Sequence, residues 1–210
     1  MMSTAKFITL EGSEGAGKTT ALNVIKATLD CWGVTYVITR EPGGEKNAEA
    51  IRELLLHSEH LESTTELLLM FAARNEHLEK VIRPNLAQDI WVVSDRFVDA
   101  SFAYQGTGRG IAWSTLEYFE NMVVGDTQPD LTLYLDVDPE VGLKRAADRS
   151  EKDRIEKENL VFFENIRQGY LKRLKQFPQR IKKINANRDI AAVTQQIIHE
   201  LEKAREQRVL

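Results

Sequence analysis

The sequence predicts an α/β fold in which a five-stranded parallel sheet is covered by helices on both faces. Short apolar stretches rich in β-branched residues alternate along the chain with longer stretches of helical periodicity, and this alternation is typical of βαβ units. A glycine-rich segment between the first strand and the first helix supports the same class. The predicted strands are 6–11, 34–39, 90–94, 131–136 and 180–184.

Helical periodicity fills the segments between these strands. The first predicted helix, 18–32, carries apolar residues at helical spacing along one face. Ser114, followed three residues later by Glu117, forms a capping box that predicts the start of another helix. Pro139 suits a first helical turn, where its missing N–H costs nothing. The remaining helices are predicted at 49–57, 64–87, 154–177 and 190–203.

Length, charge and cysteine content restrict the kind of protein. The chain has 210 residues, and we assign all of them, 1–210, to a single domain. Its formal net charge is −4, whereas proteins that wrap a nucleic acid polymer are usually basic, so we expect no such partner. No apolar run approaches the roughly 20 residues that span a bilayer, so we expect no membrane segment. The single cysteine, Cys31, favours a reducing cytoplasmic location and is expected to be buried.

The glycine-rich segment fits the phosphate-binding pattern G-x-x-x-x-G-K-[ST] in the required position between a strand and a helix. Backbone N–H groups of such a loop surround phosphate oxygens, and the helix N-terminus adds positive potential. Lys18 is expected to reach the β and γ phosphates of ATP, and the Thr19 hydroxyl to bind Mg²⁺. The predicted ATP-binding residues of the loop are Gly12, Ser13, Glu14, Gly15, Ala16, Gly17, Lys18, Thr19 and Thr20.

Several arginines lie at predicted strand ends and in loops, where ligands bind in folds of this class, and one further member of the set, Arg74, lies in a predicted helix. Phosphoryl transfer depends on neutralising charge, and the guanidinium fork matches the geometry of phosphate oxygens. The sequence lacks the N-K-x-D pattern by which GTPases bind guanine, so the arginine set favours a kinase. These arginines are Arg40, Arg74, Arg96, Arg145, Arg149 and Arg154.

Five segments, in order along essentially the whole chain, resemble bacterial thymidylate kinase. The resemblance implies a P-loop nucleoside-monophosphate-kinase fold with a short lid at about 144–155. It also implies a homodimer that transfers the γ-phosphoryl group of MgATP to dTMP, giving ADP and dTDP. Arg40 to Gly44 (REPGG) and the segment that starts at Asp95 are the most specific matches. The five segments are 12–20, 39–44, 69–74, 94–106 and 134–139.

The resemblance also implies how the nucleoside part of dTMP is bound. Phe71 corresponds to the ring that stacks on thymine, and Arg74 to the donor that binds its O4 atom. Ser101 and Gln105 correspond to residues along the edge of the base. Tyr104 corresponds to the ring that leaves no room for a ribose 2′-hydroxyl.

Further roles implied by the resemblance concern the sugar, the phosphates and adenine. Glu14 corresponds to the carboxylate that holds the 3′-hydroxyl, while Arg40 and Arg96 correspond to ligands of the acceptor phosphate. Asp95, after the third predicted strand, corresponds to an acid that orders Mg²⁺ through water. Arg145 corresponds to the side chain that lies on adenine.

The source of the transition-state cation follows from a departure in the phosphate loop. Some family members carry an arginine directly after the loop carboxylate, where this chain has Gly15. The cation is therefore expected from the lid, as in the lid-arginine subtype, with Arg149 as the predicted residue and Arg154 as the alternative. Together with Arg149, the predicted catalytic residues are Lys18, Glu14 and Arg96.

Two other functions are compatible with the phosphate loop. One is a nucleotide kinase that acts on deoxynucleosides or on CMP and UMP, and an acceptor panel separates it from a dTMP kinase. The other is a P-loop ATPase that switches a partner protein, which predicts partner-stimulated hydrolysis and no nucleotide acceptor. The compact length of the chain disfavours this second function.

Overall fold

The computed structural model describes residues 5–147 and 154–206, and a five-stranded sheet forms the centre of this part. Its strands are β1 (Phe7–Glu11), β2 (Tyr36–Arg40), β3 (Trp91–Asp95), β4 (Leu131–Asp136) and β5 (Ile181–Asn185). They lie in the order β2-β3-β1-β4-β5, and every neighbouring pair is parallel. The predicted sheet is confirmed, with most strand ends shifted by one or two residues.

Helices connect the strands and cover both faces of the sheet. Residues along β1 alternate between the two faces: Phe7 belongs to a core with α3, whereas Ile8 and Leu10 belong to a core with α1 and α9. None of the helices in the described part has the length and apolar character needed to cross a membrane. Their bounds are α1 (Lys18–Cys31), α2 (Lys46–His57), α3 (Ser63–His77), α4 (Arg83–Ala87), α5 (Val98–Ser101), α6 (Trp113–Phe119), α7 (Pro139–Ala147), α8 (Leu160–Gln176) and α9 (Ile190–Glu206).

The predicted helix 64–87 is interrupted. A π-helical turn, Leu78–Ile82, separates α3 from α4. Pro84 lies in the first turn of α4 and has no N–H to continue the regular hydrogen-bond ladder, which accounts for the break. Further π-helical turns follow α5 at Phe102–Gly108 and α6 at Glu120–Val124.

Three details of the sequence prediction are wrong. Ser114 does not cap α6, because the helix begins one residue earlier, after Ala112, and has no side-chain cap. The helix predicted at 154–177 begins only at Leu160, where the Asn159 side chain accepts a hydrogen bond from the amide of Phe162 at 2.9 Å. Cys31 is exposed rather than buried, because it is the last residue of α1 and does not face the sheet.

A buried ion cluster connects α5 to the opposite end of the chain. Asp99 binds Arg173 of α8 at 2.7 Å and Arg180 at 2.6 Å, and Arg173 also binds Glu120 at 2.7 Å. Burial alone would raise the pKa of Asp99, but Arg180 and Arg173 lower it to about 2, so the carboxylate stays ionised at neutral pH. These ion pairs hold α5, which follows directly on the carboxyl end of β3, against α8.

Asp99→Asn is expected to lower the free energy of unfolding by about 3–5 kcal/mol, because it keeps the shape of the side chain but removes the charge that Arg173 and Arg180 share, leaving Arg173 with Glu120 alone. Urea unfolding followed by tryptophan fluorescence measures this change. Asp126→Asn, at an exposed position, is the control and should change stability by less than about 0.5 kcal/mol. Equal effects of the two substitutions would contradict the importance of the cluster.

Candidate active site

The phosphate loop links β1 to α1 at the carboxyl edge of the sheet. Three of its glycines have positive φ angles: Gly12 at 151°, Gly15 at 69° and Gly17 at 91°, a region that side chains disfavour. The Lys18 ammonium group donates to the carbonyl oxygens of Gly12 and Ser13 at 3.2 and 3.3 Å. Burial and the nearby Arg96 lower the pKa of Lys18 to about 8.

Gly15 is packed against α7, and this contact excludes a side chain. A Cβ atom at Gly15 would lie 1.9 Å from the carbonyl oxygen of Gly142, and one at Gly142 would lie 2.6 Å from the carbonyl oxygen of Glu14. The loop of this chain therefore has no space for an arginine at position 15. The contact also attaches the loop to the helix that carries Arg145.

Glu14 joins the phosphate loop to the carboxyl end of β3. Its carboxylate accepts hydrogen bonds from Arg96 at 2.6 Å and from the Tyr104 hydroxyl at 2.9 Å. The Arg96 guanidinium lies 4.6 Å from the centre of the Tyr104 ring. Burial alone would raise the pKa of Glu14, but Arg96 and Lys18 lower it, so the group stays ionised. Arg96 has a φ of 71°, a strained backbone of the kind found at functional sites.

Two cavities meet at this cluster. The first cavity is lined by the phosphate loop, Arg40 and Asp95. The other extends between α2, α3 and the Phe102–Gly108 turn, and Tyr104 and Gln105 line it. Both cavities are lined by the same four polar residues, Glu14, Glu41, Arg52 and Arg96.

A buried polar network supports the wall of the second cavity. Arg74 is fully buried and donates to Glu41 at 2.8 Å, to the Ser101 hydroxyl at 3.0 Å and to the Phe97 carbonyl oxygen at 3.0 Å. His77 contacts the other Glu41 oxygen at 3.0 Å. Glu41 thus holds the guanidinium in one orientation, which in turn orients Ser101.

Comparisons with known proteins show the family of this chain. The family model described as thymidylate kinase matches residues 10–197. The chain belongs to the thymidylate kinase family. It is 52% identical to a thymidylate kinase of Nitrosomonas europaea over 91% of this chain and 90% of that protein. It is 46% identical to one of Marinomonas sp. over 96% of both chains. A solved thymidylate kinase structure from Ehrlichia chaffeensis superposes with a TM-score of 0.77 at 35% identity, covering 94% of this chain and 98% of that one.

The predicted base-binding residues of this thymidylate kinase family member divide into two groups. Tyr104 and Gln105 line the second cavity directly. Phe71 and Ser101 are at most 2% exposed, and Arg74 is fully buried. The centre of the Phe71 ring lies 5.3 Å from that of Phe119 and 4.8 Å from the Arg74 guanidinium, and these contacts leave little of its surface free. The base-binding roles of the buried group remain predictions.

Other predicted residues lie at the first cavity or next to it. Arg40 is exposed and bound by Glu49 at 2.9 Å. Asp95 is the last residue of β3, and one of its carboxylate oxygens is buried without a hydrogen bond to the described residues. Arg145 donates to the Ala186 carbonyl oxygen at 3.2 Å, which places it beside the loop after β5. Arg149 lies outside the described residues, whereas Arg154 is described and lines the second cavity.

Sequence reasoning missed four residues of the site: Glu41, Arg52, Glu66 and His77. Arg52 lines both cavities and donates to the Pro42 carbonyl oxygen at 2.8 Å. Glu66 and His77 lie within helix α3 and are buried. The signal available in the sequence was a charged or polar residue within an otherwise apolar helix. Such a residue needs a partner when it is buried.

The low pKa of Lys18 predicts a pH limit on ATP capture. Because only the ammonium form binds phosphate as a cation, kcat/KM for ATP should fall as pH rises through about 8, and this parameter reports groups of the free enzyme. A pH profile from 6.5 to 9.5 measures the effect. Lys18→Arg is the control. This variant should be less active, but its kcat/KM for ATP should not fall between pH 6.5 and 9.5, since arginine does not titrate in this range. A wild-type profile that stays flat to pH 9.5 would contradict the prediction.

Proposed function

We propose that this thymidylate kinase family member transfers the γ-phosphoryl group of ATP to the 5′-phosphate of dTMP at the junction of its two cavities. ATP phosphates occupy the loop 12–20, and dTMP occupies the cavity lined by Tyr104 and Gln105. The observation that carries the proposal is that Glu14 and Arg96 line both cavities. The phosphates of the donor and of the acceptor therefore meet at the Arg96 guanidinium.

The chemistry requires alignment and charge neutralisation. The acceptor phosphate oxygen is ionised at neutral pH, so no general base is needed. Arg96, held by Glu14 and by the ring of Tyr104, binds the acceptor phosphate. Lys18 neutralises the transferred group from the side of the loop. Arg40 lies at the rim of the first cavity and adds a second cation for the acceptor phosphate.

The residues present fit a Mg²⁺ ion bound together with ATP. Thr19 is exposed at the start of α1, and Asp95 lines the same cavity with an unpaired oxygen. No group of three or more His, Cys, Asp or Glu side chains within residues 5–147 and 154–206 could hold a metal alone. This suits Mg²⁺, which takes its remaining ligands from water and substrate phosphates. The ion would supply further neutralisation of the phosphate charge.

The proposal also covers adenine binding, the lid and the assembly of the protein. Arg145 covers adenine at the loop after β5. We assign the chain to one domain, with a lid at about 144–155 and a cytoplasmic location. A homodimer is supported by exposed apolar side chains on adjacent elements: Leu68 of α3 is 49% exposed, Tyr118 of α6 66%, and Met122 60%.

A panel of acceptors with MgATP tests the activity. dTMP should be phosphorylated with the highest kcat/KM, ahead of dCMP, CMP, UMP and thymidine. Release of ADP without any phosphorylated acceptor, increased by a protein partner, would instead support a P-loop ATPase switch. A preference for CMP, UMP or an unphosphorylated nucleoside would assign a different nucleotide kinase activity.

Arg149→Ala should lower kcat far more than it raises KM for dTMP, because the packing at Gly15 leaves no room for an arginine at that position of the loop. In GTPases, arginines that act on a transferring phosphoryl group raise kcat by a factor of about 10³–10⁵. Arg154→Ala is the matched variant and should act more weakly on kcat, since Arg154 binds Glu66 at 2.7 Å on the acceptor side. The reverse order of kcat values in steady-state assays would identify Arg154 as the lid cation.

Tyr104→Ala should reduce the preference for dTMP over its ribonucleotide, because removal of the ring makes room for a 2′-hydroxyl. Tyr104→Phe keeps the ring and removes the hydroxyl that donates to Glu14, so it should keep the preference. The ratio of the two kcat/KM values in the same preparation measures the effect and cancels any loss of folded enzyme. Equal losses for both acceptors in the alanine variant would show that Tyr104 only packs.

Charged substitutions should dissociate the proposed homodimer. Leu68→Glu combined with Met122→Glu introduces two charges into an apolar contact and is expected to give a monomer in size-exclusion chromatography with light scattering. Ile190→Glu, at a position 71% exposed on α9, is the control and should remain dimeric. A wild-type chain that elutes as a monomer at micromolar concentration would contradict the assembly.

A further inference from the structure

The Gln105 side chain lies in the wall of the second cavity, where dTMP is proposed to bind, and one of its hydrogen-bonding groups has no partner among the described residues. Gln105 is 3% exposed and lines this cavity. Its amide nitrogen donates to Glu66 at 2.8 Å. Its amide oxygen is buried and has no hydrogen bond to any residue in the described part of the chain. Buried polar atoms are normally paired, so an unpaired acceptor in a cavity points to a ligand that donates.

Glu66 determines which end of the amide faces the cavity. The Glu66 carboxylate is 1% exposed and lies between two guanidinium groups, Arg154 at 2.7 Å and Arg109 at 3.3 Å. A carboxylate paired with two guanidinium groups accepts hydrogen bonds and does not donate one. A reversed Gln105 amide would bring its oxygen against the carboxylate, so the NH₂ group must face Glu66. The oxygen is then left for the cavity.

We propose that Glu66 is a positioning residue that sets the base specificity of the acceptor site by fixing the orientation of the Gln105 amide. The inference rests on the proposed binding of dTMP in this cavity. Thymine carries an N–H group at position 3, which can donate to the Gln105 oxygen. Cytosine has a lone pair at the same position, which would face that oxygen and leave two buried acceptors unpaired. Glu66 and Gln105 together thus select thymine-type bases over cytosine-type bases.

The chemistry of Glu66→Gln provides the test. A glutamine at position 66 can either accept from the Gln105 NH₂ group or donate to the Gln105 oxygen, so both amide orientations become available. The reversed orientation presents a donor to the cavity and can pair with cytosine. The two acceptors to compare are dTMP and 5-methyl-dCMP, because both carry the same sugar, phosphate and 5-methyl group.

The measured quantity is the ratio of kcat/KM for dTMP to kcat/KM for 5-methyl-dCMP. In Glu66→Gln this ratio should fall by about tenfold or more, the effect of one mispaired buried hydrogen bond. Arg154→Gln is the control: it removes a charge partner of Glu66 but leaves the carboxylate as an acceptor, so the ratio should stay at the wild-type value. A ratio unchanged in Glu66→Gln, or lowered equally in both variants, would overturn the proposal.

A second variant keeps the proposal testable if Glu66→Gln does not fold. Gln105→Met removes the cavity-facing acceptor and leaves the ion pairs of Glu66 in place, so it should also lower the ratio by about tenfold. An unchanged ratio in this variant would overturn the proposal. A wild-type chain that does not phosphorylate dTMP would contradict the proposed function itself, which is measured separately from the ratio.

Discussion

The contact between Glu14 and Arg96 is the interaction on which the arrangement of the site depends. It joins the loop after β1 to the end of β3 at 2.6 Å, and the first and second cavities meet there. An acidic group among phosphate ligands is unfavourable unless cations compensate it, and Arg96 and Lys18 do so. The carboxylate in turn holds the Arg96 side chain in place, so that the proposed binding of phosphates needs little reorganisation of this side chain.

The acceptor cavity is built on buried charges rather than on apolar packing alone. Glu41 binds Arg74 and His77, and Glu66 binds Arg154 and Gln105. Burying such groups carries a desolvation cost that well-packed apolar side chains would avoid. Their common property is that each carboxylate fixes the orientation of a donor or amide group near the cavity. Apolar packing cannot orient polar groups in this way, which gives a reason for the presence of these buried carboxylates.

The π-helical turn Phe102–Gly108 is a second feature that shapes the cavity. It carries Tyr104 and Gln105 and packs against α8. Gly169 of α8 allows this close approach, since a Cβ atom there would lie 2.7 Å from the Cα atom of Ala103. π-helical turns often occur at functional sites because the wider turn changes the direction of the side chains it carries.

The sequence by itself determined the alternation of strands and helices, the phosphate loop and the predicted set of arginines, because these depend on local periodicity and on motif spacing. It did not predict the π-helical turns or the start of α8 at Leu160, before which Arg154 is bound to Glu66 of α3. Only the tertiary structure decided which acidic residues orient which partners. Glu41 and Glu66 are distant in the chain from Arg74, Gln105 and Arg154, and no local pattern relates residues that only folding brings together.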